Sequence, residues 1–267
     1  DTKPQSKATI PLRVTCYGSS SPRTPSNCLN EAYNLGKILA ERGHTCVNGG
    51  GAKGCMASMN DGASEHHGHI VGVIHTKWVV DGDDHDVFKG GKNQLVVAGG
   101  NDLQERKKLL IEGADAVVVM PGGPGTWDEL WEIACGKQVG FNNLPIVCVN
   151  VDGYYNDFQN MLKRAHSDGL LYMDPDDIVH FENTSELAIH WIETKCAEAK
   201  KDGNPSKHKL VKERNTKSEG GEQSENKCDA SLSKPVASSV VNVTVLGTGV
   251  LIGIAISAIA NKLTKSR

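Results

Sequence analysis

Pro121-Gly122-Gly123-Pro124-Gly125-Thr126-Trp127-Asp128-Glu129 connects a predicted strand to a predicted helix, and this connection decides the fold. The apolar run at residues 116–120 is typical of a buried parallel strand, and residues 130–134 are typical of a helix. Glycines at such a turn let backbone N–H groups approach an anion, and the helix N-terminus adds the positive end of its dipole. Glu129 stands one turn inside the helix. The stretch therefore predicts a phosphate site, with a carboxylate beside it, formed by Gly122, Gly123, Gly125 and Thr126.

A simpler interpretation of the same stretch is purely structural. Thr126 and Glu129 have the spacing of a capping box, in which each side chain accepts a hydrogen bond from the other residue's backbone N–H. The proline and the glycines would then form only a tight turn. A ligand site is favoured because small-residue loops also follow two other predicted strands.

Those two loops follow the first and second predicted strands. Asn48-Gly49-Gly50-Gly51-Ala52-Lys53-Gly54-Cys55-Met56 comes after the strand-like residues 45–47 and leads into a helical stretch at about residues 56–67. It lacks the Gly-Lys-Ser/Thr end of a Walker A loop and the spacing of a dinucleotide fingerprint. After the first strand, Gly18 and Ser19 open a loop of small residues. Because the carboxyl ends of parallel strands share one edge of a sheet, the loops predict a nucleotide-phosphate site that includes Gly18, Ser19, Gly49, Gly50 and Gly51.

The helix after the fourth predicted strand carries an arginine on its apolar side. In residues 101–110 Asn101 is the predicted N-cap, and Leu103, Arg106 and Leu110 stand at i, i+3 and i+7. An unpaired buried charge is very costly, so Arg106 requires a partner unless it snorkels at the edge of the stripe. The pattern alone makes Lys107 and Lys108 solvated charges.

Taken in order, these motifs resemble the signature of the LOG ("Lonely Guy") family of phosphoribohydrolases, which are often mislabelled lysine decarboxylases. The signature matches Gly49-Gly50-Gly51-x-x-Gly54-x-Met56, then Glu105-Arg106-Lys107, then Pro121-Gly122-Gly123-x-Gly125-Thr126-x-x-Glu129. The resemblance extends from about residue 13 to about residue 190 and includes Val151-Asp152-Gly153-Tyr154-Tyr155. It implies hydrolysis of the N-glycosidic bond of a nucleoside 5′-monophosphate, either AMP or an N6-modified, cytokinin-type AMP. The products would be the free base and ribose 5-phosphate.

The resemblance also implies roles for individual residues. Arg106 and Glu129 would be the catalytic pair, and the glycine motifs, with Lys107, would hold the phosphate and ribose. Cleavage of a C1′–N bond passes through an oxocarbenium-like state, which a carboxylate stabilises while it activates water. Arg106 would fix the substrate and keep Glu129 ionised. The alternative function is a non-catalytic nucleotide-binding or sensing module, which needs the glycine loops but not this pair.

The chain departs from the family pattern at several positions, and the departures concern the choice of base. Pro124 and Trp127 replace the usual residues of the main motif, and His75 stands where proline is common after the third strand. The family's substrate-contacting glutamate has no clear match in residues 81–86.

A homodimer is a further expectation from the resemblance. The helix that carries the main motif would pack on its copy in the partner, and Trp127 and Trp131, at i and i+4, would supply an apolar patch. In the alternative, both tryptophans fill the core of the monomer.

Strands and helices alternate through the first 200 residues. Strands are predicted near residues 12–17, 44–48, 70–74, 95–98, 115–120 and 145–150, and residues 26–42 form an amphipathic helix that stops at Gly43. The alternation predicts an α/β fold, a doubly wound Rossmann-like parallel sheet with helices on both faces. It forms one domain of residues 1–200.

Composition narrows the function classes. The net charge of −3 argues against a nucleic-acid partner. The eight cysteines form no C-x-x-C pair, and Cys16, Cys46 and Cys148 fall in apolar strands, as unpaired thiols of a reducing compartment do. Glu65-His66-His67-Gly68-His69 lacks companion ligands at metal-binding spacing. We predict neither a metal nor a cofactor.

Beyond residue 200 the chain changes character. Residues 201–234 are rich in Lys, Glu, Ser, Asn and Gly without an aromatic residue, and are predicted to be a disordered linker. Residues 235–267 are predicted to be a transmembrane tail anchor, since residues 240–260 carry no charge and would span roughly 30 Å as a helix. The expected arrangement is a cytosolic enzyme held at a membrane by its C-terminal tail.

Overall fold

Parallel strands make up one seven-stranded sheet in the part of the chain that the computed structural model describes, residues 10–80, 86–89 and 91–201. The order across the sheet is β4-β3-β2-β1-β5-β6-β7, and neighbouring strands pair in parallel. The strands are β1 (Arg13–Tyr17), β2 (Thr45–Asn48), β3 (His69–His75), β4 (Gln94–Ala98), β5 (Ala116–Val119), β6 (Ile146–Val149) and β7 (His180–Glu182).

Helices connect these strands. They are α1 (Ser26–Glu41), α2 (Gly54–Glu65), α3 (Thr76–Val80), α4 (Gln104–Ile111), α5 (Pro124–Gln138), α6 (Asn156–Ser167), α7 (Pro175–Ile178) and α8 (Ser185–Lys201). Single 3₁₀ turns lie at Asp86–Phe88 and Val151–Gly153.

The two-residue period of the strands divides the core between the two faces of the sheet. Val14 and Cys16 of β1 belong to a buried cluster with side chains of α1, α2 and α8. Val117 and Val119 of β5 belong to a second cluster, with α4, α5 and α6. The central strands are therefore buried on both sides, and the predicted doubly wound Rossmann-like fold is confirmed.

The order in which strands are added to the sheet reverses after β4, so β1 and β5 are neighbours although three strands separate them in the sequence. The chain runs outward from β1 through β2 and β3 to β4, and then returns to add β5, β6 and β7 on the other side. Tyr17, at the end of β1, lies in register with Val119 at the end of β5. The loops after β1 and β5 therefore flank the switch point, where open α/β sheets bind their ligands.

The six predicted strands agree with the structure to within one residue at each end, and β7 was not predicted. The predicted cap of α4 is wrong. The helix begins at Gln104, and the Asp102 carboxylate, not Asn101, accepts a hydrogen bond from the Gln104 backbone N–H at 3.0 Å. Leu103 precedes the helix and is exposed, so it does not extend an inward apolar stripe.

The predicted linker at residues 201–234 and tail anchor at residues 235–267 lie outside the described residues, apart from Lys201 at the end of α8. Within the described ranges, no helix combines the length and the apolar character that a membrane span requires.

Candidate active site

Three loops at the carboxyl edge of the sheet are joined by backbone hydrogen bonds. The Ser19 N–H donates to the carbonyl of Pro121 at 3.0 Å, which connects the loop after β1 to the turn after β5. The Met56 N–H, in the first turn of α2, donates to the carbonyl of Ser19 at 3.4 Å. The three small-residue loops predicted to converge are thus in contact.

Glycine is required at Gly122 and Gly49 because neighbouring groups occupy the space of a side chain. A Cβ on Gly122 would lie 2.2 Å from the Thr126 hydroxyl and 3.0 Å from the Ser19 backbone nitrogen. A Cβ on Gly49 would lie 2.2 Å from Nη2 of Arg106. Both glycines therefore permit close approach of the loops and of the arginine.

The first turn of α5 contains no capping box. Gly123 is the N-cap and Pro124 the first helical residue, so Thr126 lies inside the helix and the capping-box interpretation is wrong. Proline at this position has no N–H to leave unpaired. The amides of Gly125 and Thr126 follow it in the first turn, where helix geometry provides no intrahelical acceptor. These N–H groups and the helix dipole give this end of the cavity a positive potential.

Arg106 is buried, with only 8% of its surface exposed, and each of its three guanidinium nitrogens donates a hydrogen bond. Nε donates to the carbonyl of Val73 at 2.9 Å, Nη2 to the carbonyl of Gly49 at 3.4 Å, and Nη1 to the carboxylate of Glu129 at 3.1 Å. The guanidinium carbon also lies 5.2 Å from the centre of the Trp78 ring. The predicted partner of Arg106 is therefore present, and the snorkelling alternative is wrong.

Glu129 faces the cavity from the second turn of α5. Burial raises the pKa of its carboxyl to about 7, although the charge and the hydrogen bond of Arg106 act in the opposite direction. The expectation that Arg106 keeps Glu129 fully ionised is corrected accordingly, because burial outweighs the arginine. A carboxyl that exchanges its proton near neutrality is suited to general acid–base chemistry.

Lys107 is not the solvated charge that the sequence pattern predicted. It is 9% exposed, and its ammonium lies 3.1 Å from the carboxylate of Asp128 and 2.6 Å from that of Glu132. Burial opposes the charge, but the hydrogen bonds to Glu132 and Asp128 outweigh it and raise the pKa of Lys107. Lys107 therefore joins α4 to α5, while Lys108 is exposed as predicted.

A cavity of about 550 Å³ opens where these elements meet. Its walls include ten of the twelve predicted site residues: Gly18, Ser19, Gly49, Gly51, Arg106, Lys107, Gly123, Gly125, Thr126 and Glu129. Gly50 and Gly122 do not line the cavity. Gly50 has a φ of +70° and lies next to Leu95, Gly72 and Ile74, while Gly122 lies against Thr126 and Ser19.

The structure adds an apolar wall to the cavity that the sequence interpretation missed. Met56, Ile74, Trp78 and Leu103 line it from four separate elements and connections. No local spacing relates these four residues, so only the folded arrangement identifies them.

Trp127 and Trp131 lie on the outer side of α5. They are 45% and 40% exposed, so the alternative in which both fill the monomer core is wrong. Trp131 packs edge-on against Phe158 of α6, with ring centres 4.7 Å apart.

Three cysteines were predicted to lie unpaired in apolar strands, and the structure shows all three as free and buried: Cys16, Cys46 and Cys148. In the His-rich stretch at the end of α2, Glu65 accepts a hydrogen bond from the Tyr33 hydroxyl. Over the described ranges no group of three or more His, Cys, Asp and Glu side chains is placed to hold a metal ion.

Comparison with known proteins adds independent information. A family model described as "Possible lysine decarboxylase" matches residues 56–192. A rice protein (Oryza sativa subsp. japonica) named probable cytokinin riboside 5′-monophosphate phosphoribohydrolase LOG4 is 33% identical over 180 residues, which cover 66% of this chain and 75% of the relative. The Arabidopsis thaliana cytokinin riboside 5′-monophosphate phosphoribohydrolase LOG7 is 35% identical over 173 residues, 64% of this chain and 76% of the relative.

Among solved structures, the molybdenum cofactor binding protein of the phototrophic bacterium Rippkaea orientalis aligns with a TM-score of 0.52 at 17% identity. The alignment covers 70% of this chain and 99% of that protein. At this identity the likeness concerns the fold alone.

Proposed function

The chain belongs to the LOG family, and from that premise we propose that it hydrolyses the N-glycosidic bond of a nucleoside 5′-monophosphate to a free base and ribose 5-phosphate. The proposed substrates are AMP and N6-modified, cytokinin-type AMP. The observation that carries the proposal is the largely buried pair of Arg106 and Glu129, 3.1 Å apart in a cavity that is also lined by the glycine loops.

The phosphate is proposed to bind at the first turn of α5. The amides of Gly125 and Thr126 and the loop at Gly18 and Ser19 border this part of the cavity. Lys107 adds a positive charge nearby, although it is already paired with two carboxylates. Anchoring the 5′-phosphate here would direct the ribose towards Glu129, since Glu129 lines the same cavity one turn further along α5.

Glu129 is proposed to act on the reacting carbon. As the C1′–N bond breaks, the base leaves with the bonding electrons, and the carboxylate stabilises the positive charge that develops on C1′ and the ring oxygen. The carboxylate also takes a proton from the water molecule whose oxygen bonds to C1′. A proton from solvent completes the free base.

Arg106 is proposed to hold this carboxylate in place. Its contacts with the carbonyls of Val73 and Gly49 fix the guanidinium, so the Glu129 oxygen that it binds has a defined direction. A binding or sensing module would need the loops of the anion site, but it would not need a carboxylate held by a buried arginine in the same cavity. The pair therefore supports the enzymatic proposal over the module.

The direct test is to incubate the full-length protein with AMP, isopentenyl-AMP and adenosine and to measure the released base by liquid chromatography. We expect base and an equal amount of ribose 5-phosphate from at least one monophosphate. Tight binding of the monophosphates without any release of base would support the module instead.

The assembly and location are also proposals. We propose a homodimer in which α5 packs on its copy through Trp127 and Trp131, whose exposure supports a contact there. We propose that residues 1–200 are the catalytic domain, residues 201–234 a linker and residues 235–267 a membrane anchor, with the domain in the cytosol.

A further inference from the structure

Two adjacent tyrosines after β6 both donate hydrogen bonds to the turn that leads into α5. The Tyr155 hydroxyl donates to the carbonyl of Met120 at 2.8 Å, and the Tyr154 hydroxyl donates to the carbonyl of Gly122. The two rings meet edge-on, with centres 4.9 Å apart. Neither residue lines the cavity, so their effect on it must pass through the turn.

The backbone before the tyrosines is held in an uncommon conformation. Asp152 has a φ of 48° and Gly153 a φ of 77°, within the 3₁₀ turn at Val151–Gly153. A left-handed residue other than glycine is costly and persists where its surroundings impose it. Here the Asp152 carboxylate accepts a hydrogen bond from Asn27, and the Tyr155 N–H donates to the side chain of Asn150 at 2.6 Å. These contacts aim both hydroxyls at the same turn.

Together with the loop after β1, the tyrosines satisfy three successive carbonyls. Met120 accepts from Tyr155, Pro121 accepts from the Ser19 N–H at 3.0 Å, and Gly122 accepts from Tyr154. A carbonyl oxygen turned towards the cavity would repel a phosphate, whereas a backbone N–H attracts it. The carbonyls of Met120 and Gly122 are held by tyrosines outside the cavity, and that of Pro121 is held by the neighbouring loop, so the turn keeps its own N–H groups available to an anion.

We propose that Tyr154 and Tyr155 are positioning residues for phosphate recognition, acting through the carbonyls of Gly122 and Met120. This inference rests on the proposed function, because it assigns the phosphate to the turn that they hold. Burial raises the pKa of the Tyr155 hydroxyl, which therefore stays protonated and remains a donor.

Tyr154→Phe is the decisive variant because it removes one hydroxyl and leaves the ring. The Tyr154 side chain is 44% exposed, so the change should leave the core intact. Tyr172→Phe is the matched control, since Tyr172 is 82% exposed and does not line the cavity. In the full-length protein we expect the Kd for ribose 5-phosphate, measured by calorimetry, to rise about three- to tenfold in Tyr154→Phe and not in the control.

Kinetics separate positioning from general damage to the fold. In Tyr154→Phe we expect KM for AMP to rise by a similar factor while kcat stays within about twofold. Cleavage of adenosine, which has no phosphate, should be unchanged, so that the preference for monophosphate over nucleoside falls. An equal loss on AMP and adenosine, or unchanged affinity for ribose 5-phosphate, would overturn the inference.

Tyr155→Phe leaves the carbonyl of Met120 without this donor inside the core and is expected to lower the melting temperature as well as the affinity. The binding measurement does not require turnover, so it separates the two proposals. Weaker binding of ribose 5-phosphate in Tyr154→Phe, in a protein that cleaves no nucleotide, would uphold the positioning role and reject the enzymatic one. A parent protein that binds neither ribose 5-phosphate nor inorganic phosphate would overturn the positioning role, and the release of base from AMP would still decide the enzymatic proposal.

Discussion

At the scale of single residues, the site depends on a balance at Glu129 between burial and charge. Burial disfavours the carboxylate, while Arg106 at 3.1 Å favours it, and the resulting pKa is about 7. A carboxyl exposed to water would be ionised at neutral pH, and its low pKa would make it a weak base for taking a proton from water. The enclosed position makes both protonation states accessible near neutral pH.

Removal of the Glu129 charge should strongly reduce turnover with little effect on the fold. Because the capping box is absent, Glu129→Gln loses no cap, and its amide oxygen can still accept from Arg106. We expect kcat for AMP to fall on the order of a hundredfold or more, since the developing positive charge loses its stabilising carboxylate. The control is Glu41→Gln, an exposed change on α1. Turnover at the parent rate would mean that Glu129 is not catalytic.

The pH dependence follows from the direction of the same pKa shift. Glu129 acts as a carboxylate, so it is inactive when protonated, and kcat/KM for AMP should rise through about pH 7 and then level off. The measurement is initial rate at low substrate concentration between about pH 5 and pH 9. A limb near pH 6 would instead report the second ionisation of a phosphate group, whose pKa is about 6.

Arg106 and Lys107 show what residue-level sequence interpretation can and cannot reach. The inward position of Arg106 was predicted correctly from a stripe of which Leu110 is buried and Leu103 is not, and its partner Glu129 was predictable as a carboxylate beside the proposed phosphate turn. Lys107 was misjudged because its two partners, Asp128 and Glu132, lie on a different helix. No spacing within the sequence around Lys107 contains that information.

At the scale of elements, the decisive feature is the junction of β5 with α5. The buried strand ends at Val119, the carbonyls of the following turn accept hydrogen bonds from Ser19 and the two tyrosines, and Pro124 starts a helix whose first turn lines the cavity. Apolar runs predicted six of the seven described strands, since that pattern is local. The strand β7 was missed because it has only three residues, all partly exposed, and becomes a strand through its pairing with β6.

Gly122→Ala should damage recognition of the phosphate more than folding. The added methyl group would meet the Thr126 hydroxyl at 2.2 Å, so the first turn of α5 must shift. We expect KM for AMP to rise at least about tenfold, by analogy with other losses of positioned donors. At Gly99 the nearest atom to an added methyl is 3.5 Å away, so Gly99→Ala serves as the control. Equal KM values for the two variants and the parent would exclude the turn as the phosphate site.

At the scale of the whole molecule, the outer face of α5 is the proposed dimer contact. Sedimentation of a chain ending at Lys201 should give the mass of a dimer at micromolar concentration. Replacing Trp131 with lysine puts a charge into the patch and should shift the mass towards the monomer. A parent chain that sediments as a monomer would contradict the dimer.

The C-terminal tail yields a second prediction at this scale. Residues 240–260 carry no charged side chain, so full-length protein should remain in the membrane fraction after an alkaline carbonate wash. Ile252→Arg should weaken this retention, because an arginine at the centre of a span costs roughly 3 kcal/mol. A chain ending at Lys201 should stay in the supernatant. Recovery of the unaltered full-length chain in the supernatant would reject the anchor.

The cavity walls also bear on how such an enzyme can diversify. Gly123, Gly125 and Thr126 meet the proposed phosphate, whereas Met56, Ile74, Trp78 and Leu103 make the apolar wall from other parts of the chain. If the base lies against that wall, substitutions at Met56, Ile74 or Leu103 should change which base is accepted without touching the turn, whereas Trp78 also contacts Arg106. A lineage built on this architecture could then exchange one nucleobase for another over evolutionary time while inheriting its bond-breaking apparatus intact, and a protein engineer could attempt the same by randomising those three positions.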